Sequence, residues 1–143
     1  MKKKVLAVDP GDKRIGLAIS DDLSVIANPL MVIQHVSRKK DAQEIVKLAR
    51  ENNAEKIIIG CSYDEKSLLT PQGRKGEKLA DTIRSMGFTD IDLWDEFEST
   101  KKAQMTRREM GVKRFKRKGH LDELAATIIL QTYLDENMEK SNP

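Results

Sequence analysis

Hydrophobic positions along the chain follow two periods. Near the start, residues 4–9 and 14–20 alternate with a period of two, Ile15, Leu17 and Ile19 against Gly16, Ala18 and Ser20, the pattern of strands. The short link between them holds Pro10-Gly11, which predicts a hairpin. A third strand is expected over 29–34, introduced by Asn28-Pro29, so the opening third reads as an antiparallel meander. After Ser37, a candidate N-cap, the period changes. Ala42, Ile45, Val46 and Ala49 recur at helical spacing.

The apolar run 56–60 closes on glycine, as a buried parallel strand does. Thr70-Pro71 predicts a capped helix with proline in its first position. Leu79, Ala80, Ile83 and Met86 form its stripe, and Gly87 suits its C-terminal cap. Another strand follows over 90–96, then a weaker helix over 99–110 and a strong one from Leu121 to about Met138. Loops are expected at 61–76 and 111–119. The order βββαβαβαα calls for helices layered on a mixed sheet. No repeat or linker divides the chain, so one domain is expected over 1–138, with a frayed tail at 139–143.

The chain has 143 residues, enough to bury roughly 68–70% of its unfolded surface in a single core. No apolar run approaches the ~20 residues of a bilayer span. The basic start, Met1 to Lys4, is too short and polar for a signal peptide. Cys61 is the only cysteine, which excludes an internal disulfide and a thiolate zinc cluster. These features lead us to expect a cytoplasmic protein without a membrane partner.

Charge distribution adds more than the net charge of +3. Residues 107–118 carry seven cations, Arg107, Arg108, Lys113, Arg114, Lys116, Arg117 and Lys118, against one glutamate. One twelfth of the chain thus holds a local +6 and the remainder is −3. Such a concentration points to nucleic acid as a partner. Lys13 and Arg14, in the first hairpin, are further candidates for holding a phosphate.

Three acidic positions stand at element ends: Asp9 after the first strand, Asp95-Glu96 after the last, and Asp122 in the first turn of the final helix. In layered α/β folds the carboxyl ends of strands share one crevice. Clustered carboxylates repel each other unless protonated or paired with a cation. Mg²⁺ or Mn²⁺ would supply that cation, and paired ions can cleave phosphodiesters. Each acid also has a simpler reading. Asp9-Pro10-Gly11 suits a type II turn, Asp122 suits a helix dipole, and Asp95-Glu96 suits a polar strand exit. His120 could assist a water or sit beside the helix cap. Phe115 could stack a base or anchor its loop.

The segment "DPGDKRIGLAISD" closely resembles the opening signature of the YqgF family, described both as Holliday junction resolvases and as pre-16S ribosomal RNA nucleases. "WDEFESTKKA" and "LDELAATIILQTYLD" resemble that family's later motifs. The similarity runs from about 4 to 135. It implies an α/β, ribonuclease H-like fold: a five-stranded mixed sheet of order 3-2-1-4-5, strand 2 antiparallel, flanked by helices. It implies a metal-dependent phosphodiester hydrolase using Mg²⁺ or Mn²⁺ in 5′-end processing of pre-16S rRNA, or a resolvase-type DNA endonuclease. A non-catalytic nucleic-acid-binding assembly factor is a third reading. The expected partner is structured RNA or branched DNA, and the expected state a monomer or weak homodimer. By matching position, the family's catalytic and metal-binding acids fall on Asp9, Glu96 and Asp122. Two departures lie near the presumed cleft. Phe97 stands where the family has arginine, and "GCSYDEKSLLTPQGRKG" replaces a Gly-Leu-Pro stretch.

Overall fold

A computed structural model describes residues 3–95 and 120–141. Its elements in order are β1 (Val5–Pro10), β2 (Arg14–Ser20), β3 (Ala27–Gln34), α1 (Arg38–Glu51), β4 (Lys56–Cys61), α2 (Pro71–Ser85), β5 (Ile91–Asp95) and α3 (His120–Ser141). The five strands form one sheet in the order β3-β2-β1-β4-β5. β2 is antiparallel to β1 and β3, while β4 is parallel to β1 and to β5. The expected sheet order and strand directions are therefore met.

β1 lies at the centre of the sheet with both faces covered. Its alternation divides the core in two. Leu6 and Val8 join Ile15, Leu17, Ile57 and Ile59 under α1 and α2, together with Ile45, Ala49, Leu79 and Ile83. Val5 and Ala7 join Ala18 and Ile58 under α3, against Ala126, Ile129, Leu130 and Leu134. Each face of the strand thus sets which helices it can pack against.

The helix starts follow the local chemistry read from the sequence. The Ser37 hydroxyl accepts from Lys40 N–H at 3.2 Å and the Thr70 hydroxyl accepts from Gly73 N–H at 3.0 Å. Pro71 occupies the first helical position of α2, and Gly87 follows its end at φ 97°. α3 continues to Ser141, past the point where the frayed tail was expected.

Three boundaries differ. β3 begins two residues early and takes Pro29 into its ladder opposite Ala18, where the register shifts. An edge strand tolerates this, because an outward-facing position needs no N–H donor. β5 ends at Asp95. The loop expected at 61–76 shrinks to 62–70, since Cys61 completes β4 and Pro71 opens α2. Asp64 folds this excursion back: its carboxylate accepts from Lys66 N–H at 2.8 Å and Leu68 N–H at 3.0 Å. Tyr63 bridges to Leu69, and Thr70 N–H donates to the Ser62 carbonyl at 3.1 Å.

Gly73 is the tightest contact between α2 and this excursion. A Cβ there would lie 2.4 Å from the Ser62 carbonyl oxygen. Gly73→Ala should therefore lower stability by about 1–3 kcal/mol through overpacking, read as a lower thermal midpoint. Helix propensity alone would give the opposite sign, so a raised midpoint would contradict this packing.

At the amino edge, Asp90 accepts from Lys3 Nζ at 2.7 Å and Lys56 Nζ at 3.3 Å. The Lys3 hydrogen bond, then Lys56, hold the Asp90 carboxyl below its ordinary range against the opposing effect of burial. A depressed pKa contributes stability above the unfolded value of about 3.9, and that contribution is lost as pH falls through the folded value. Urea midpoints of the wild type should therefore fall more steeply below about pH 4 than those of Asp90→Asn. Equal slopes would remove Asp90 from acid stability.

Candidate active site

β1, β3, β4 and β5 point the same way, so Pro10, Gln34, Cys61 and Asp95 end at one edge of the sheet. α1 and α2 begin at that edge, each following a strand that ends there.

α3 comes to it from the other direction. Its later residues lie at the amino edge: Asn137 and Met138 line a cavity with Lys3, Val5 and Lys56, and Leu134 packs with Val5. Hydrogen bonds fix this placement. Trp94 Nε1 donates to the Thr132 hydroxyl at 2.9 Å, and the Gln131 side chain accepts from Ala27 N–H and donates to the Val25 carbonyl, each at 2.9 Å. From Leu134 back to position 122 is twelve residues, about 18 Å of helix. From Val5 to Asp9 is about 13 Å of strand. The helix start therefore reaches the edge that holds Asp9.

Asp9 shares the parity of Val5 and Ala7, the residues that face α3. It is half-buried. Its cross-strand partner is Gly16, followed on the same face by the pair Ala7 and Ala18. This strip of small residues, matched by the fully buried Ala126, lets α3 lie close to the sheet.

Asp95 takes the other side. It shares the parity of Ile91 and Leu93, which pack in the core beneath α1 and α2, whereas Trp94 packs in the core beneath α3. Its charge is felt there by Tyr63. A hydrogen bond with Cys61, then burial, then the charges of Cys61, Asp95 and Glu77 push the Tyr63 phenol up to about 12. Glu77 lies on α2. Of the two adjacent acids, the described one is thus aimed away from Asp9. Cys61 is buried and its Sγ donates to the Trp94 carbonyl at 3.6 Å, a packing role rather than a reactive one.

The hairpin carrying Asp9 is held from α2. Gln72 Nε2 donates to the Pro10 carbonyl at 3.2 Å, and Lys75 Nζ pairs with Asp12 at 3.0 Å. The type II turn that is the simpler reading of Asp9-Pro10-Gly11 does not form. Pro10 remains in the ladder opposite Ile15, and Gly11 is not at positive φ, which that turn demands. Glycine is required there for space, since a Cβ would lie 2.4 Å from the Arg14 carbonyl oxygen. Lys13 and Arg14 are exposed beside it.

Glu96, Phe97, Phe115, the helix expected at 99–110 and all seven cations of 107–118 lie outside the described residues. The backbone of His120 and Asp122 is in the first turn of α3. Among the described residues no group of three His, Cys, Asp or Glu could hold a metal ion; of the three acids singled out, only Asp9 has a described side chain. Reading the sequence alone missed Gln72 and Lys75. Their signal was a helical face, which has meaning only once α2 is known to begin beside the hairpin.

Comparison with known proteins supplies the family. The model of the RuvX family, described as Holliday junction resolvase, matches residues 3–136. This chain belongs to the RuvX family. It is 38% identical to a protein of Clostridioides difficile (strain 630) named "Putative pre-16S rRNA nuclease", over 92% of this chain and 94% of that protein. A protein of the same name from Thermoanaerobacter pseudethanolicus is 38% identical over 96% of this chain and 99% of its own. Among solved structures, Thermus thermophilus RuvC in complex with a Holliday junction substrate superposes with a TM-score of 0.58 at 17% identity, covering 96% of both chains. The fowlpox virus Holliday junction resolvase gives 0.56 at 12% identity, covering 93% of this chain and 99% of that one. These likenesses show a shared fold, and the relatives are named as nucleases, enzymes that hydrolyse phosphodiesters. Among the described residues no helix is long and apolar enough to cross a membrane.

For this RuvX-family chain the facing of the two acids has a direct consequence. Asp95→Asn should keep phosphodiester cleavage within about threefold of wild type, because a change of about 0.6 kcal/mol or less is expected from a group outside the reacting site. A loss of about a hundredfold in a single-turnover assay would place Asp95 in the machinery and overturn the face assignment.

Proposed function

We propose that this RuvX-family protein is a divalent-metal-dependent endonuclease that processes the 5′ end of pre-16S rRNA in the cytoplasm. The reading is supported by the place of Asp9 on the α3-facing parity of β1, at the sheet edge toward which the first turn of α3 runs. The family and the names of its relatives point to the same chemistry.

The donor set fits a hard cation. Asp9 is an oxygen donor on a rigid central strand, half-buried and backed by small residues. Asp122 and Glu96 are the acids we assign with it, because Asp95 faces the other core. Mg²⁺ or Mn²⁺ bound there would supply Lewis acidity and a more acidic water. The chain's own residues do the remaining work. Asp9 holds its carboxylate in place through the β1 ladder and the Gln72 clamp on Pro10. Lys13 and Arg14 grip phosphates beside it, and the cations of 107–118 hold the backbone further out without reading sequence.

The test is Asp9→Asn against wild type on a pre-16S leader RNA and on a four-way DNA junction, with Mn²⁺ and with chelator. Single-turnover cleavage of the RNA should fall by about a hundredfold or more in the variant, the loss of several kcal/mol of charge stabilisation. It should also vanish with chelator. Equal cleavage by variant and wild type would discard the site, and cleavage of the junction in preference to the RNA would discard the substrate.

A further inference from the structure

A cavity of about 390 Å³ opens at the same edge of the sheet, on the other side of the β1 tip. Asp9 has the parity of the α3-facing residues; Pro10, one residue on, lines this cavity beneath α1 and α2. The Asp9 side chain and this cavity therefore lie on opposite faces of the β1–β2 hairpin. Ile15 and Leu79 give the cavity an apolar floor, and both are buried.

Its rim is cationic. Arg38, Lys75 and Lys78 reach it together with His35, against two acids, Asp12 and Asp41. Both acids are already engaged. Asp12 pairs with Lys75 at 3.0 Å. Asp41 is buried, accepts from Val36 N–H at 3.0 Å and meets His35 Nδ1 at 2.5 Å. Arg38 and Lys78 make no ion pair with any described residue, so neither is held by a neighbouring acid. Arg38 is also the first residue of α1, where the positive end of the helix dipole adds to the field. No Phe, Tyr or Trp among the described residues lines the space, and the ring of His35 is tied to Asp41, so stacking of a base is not its main offer. Two cations over an apolar floor suit phosphate and sugar instead.

We propose that this cavity holds backbone phosphates of the nucleic-acid strand where it continues from the Asp9 site across the hairpin, with Arg38 and Lys78 as their cationic contacts. The assignment rests on the nuclease reading for the identity of the strand. It adds a second anchor on the opposite side of β1, separate from the cations of 107–118. A strand gripped on both sides of the hairpin would have its scissile bond held over Asp9.

The test measures binding of a fluorescent single-stranded RNA of about 20 nucleotides to the full chain in EDTA, across a salt series. Without divalent metal, the measurement does not depend on the Asp9 site. The double variant Arg38→Gln/Lys78→Gln is compared with Lys47→Gln/Arg50→Gln, which removes the same charge from the far end of α1. The first should reduce the slope of log K against log salt by about 1.4 and weaken binding about 25-fold at ~0.1 M salt, the contribution of two phosphates on a single strand. The control should keep the wild-type slope, and thermal melts check that both variants are folded. Equal losses in both variants would reduce the effect to general charge and overturn the proposal, as would an unchanged slope in the first. A second arm adds a nucleoside monophosphate. If it stabilises wild type but not Arg38→Gln/Lys78→Gln, and the RNA slope is unchanged, the site takes free nucleotides and the backbone assignment is wrong. Cleavage by Asp9→Asn decides the nuclease reading separately, so the two can fail independently.

Discussion

The double burial of β1 governs the arrangement of everything around it. A strand covered on both faces must send successive side chains into different cores. Val5 and Ala7 go to α3, and Leu6 and Val8 go to α1 and α2. Asp9 and Pro10 continue that alternation past the point where apolar cover ends. One residue of slip would exchange the two cores and turn Asp9 away from α3. The pairing with β2 on one side and β4 on the other, from Leu6↔Ile19 through Val8↔Ile59, holds the register.

The two cores differ in the size of their residues, and this difference has a functional side. Beneath α1 and α2 the strands present Leu, Ile and Val. Beneath α3, Val5 and Ile58 are joined by the small residues Ala7, Ala18 and Gly16, met by Ala126. Close-packed interiors leave no gap to fill, so small residues draw the helix toward the sheet. α3 therefore delivers its first turn close to the carboxyl ends of the strands. Polar anchors keep it from sliding: Thr132 is held by Trp94, and Gln131 by the backbone around Ala27. Trp94 also meets Tyr133 edge to face at 5.3 Å, and the Lys56 ammonium lies 5.8 Å from the same ring. Burial works against that ammonium, but hydrogen bonds to Asp92 and Asp90, with the nearby charges, hold its pKa above the ordinary lysine range.

Opposite its contacts with α3, the β1 tip is clamped to α2 through Gln72 and the Lys75–Asp12 pair. The hairpin is therefore a wall with two sides, not a free turn. One side carries the candidate catalytic acid, and the other a pocket where Arg38 and Lys78 pair with no described acid. Nucleic acid is a charged, extended ligand, and contacts on both sides of such a wall fix its register without base readout.

Much of this was legible in the sequence because it is local. Alternation marked β1 and β2, spacing of Ala42, Ile45, Val46 and Ala49 marked α1, and the caps at Ser37 and Thr70 formed through contacts three residues apart. The motifs around Asp9 and in the last helix carried the family. Other features required the folded chain. Pro29 could join a strand only because β3 lies at an edge. Asp64 drew 62–70 into a closed excursion that composition described as a loop. Asp95 and Glu96 are equivalent as a dipeptide; only the parity of β5 against two different cores turns Asp95 from Asp9. Arg38 and Lys78 lie forty residues apart and read as ordinary solvated helix charges. They become a site because two βα crossings start α1 and α2 at the same edge, and no period along one dimension encodes that meeting.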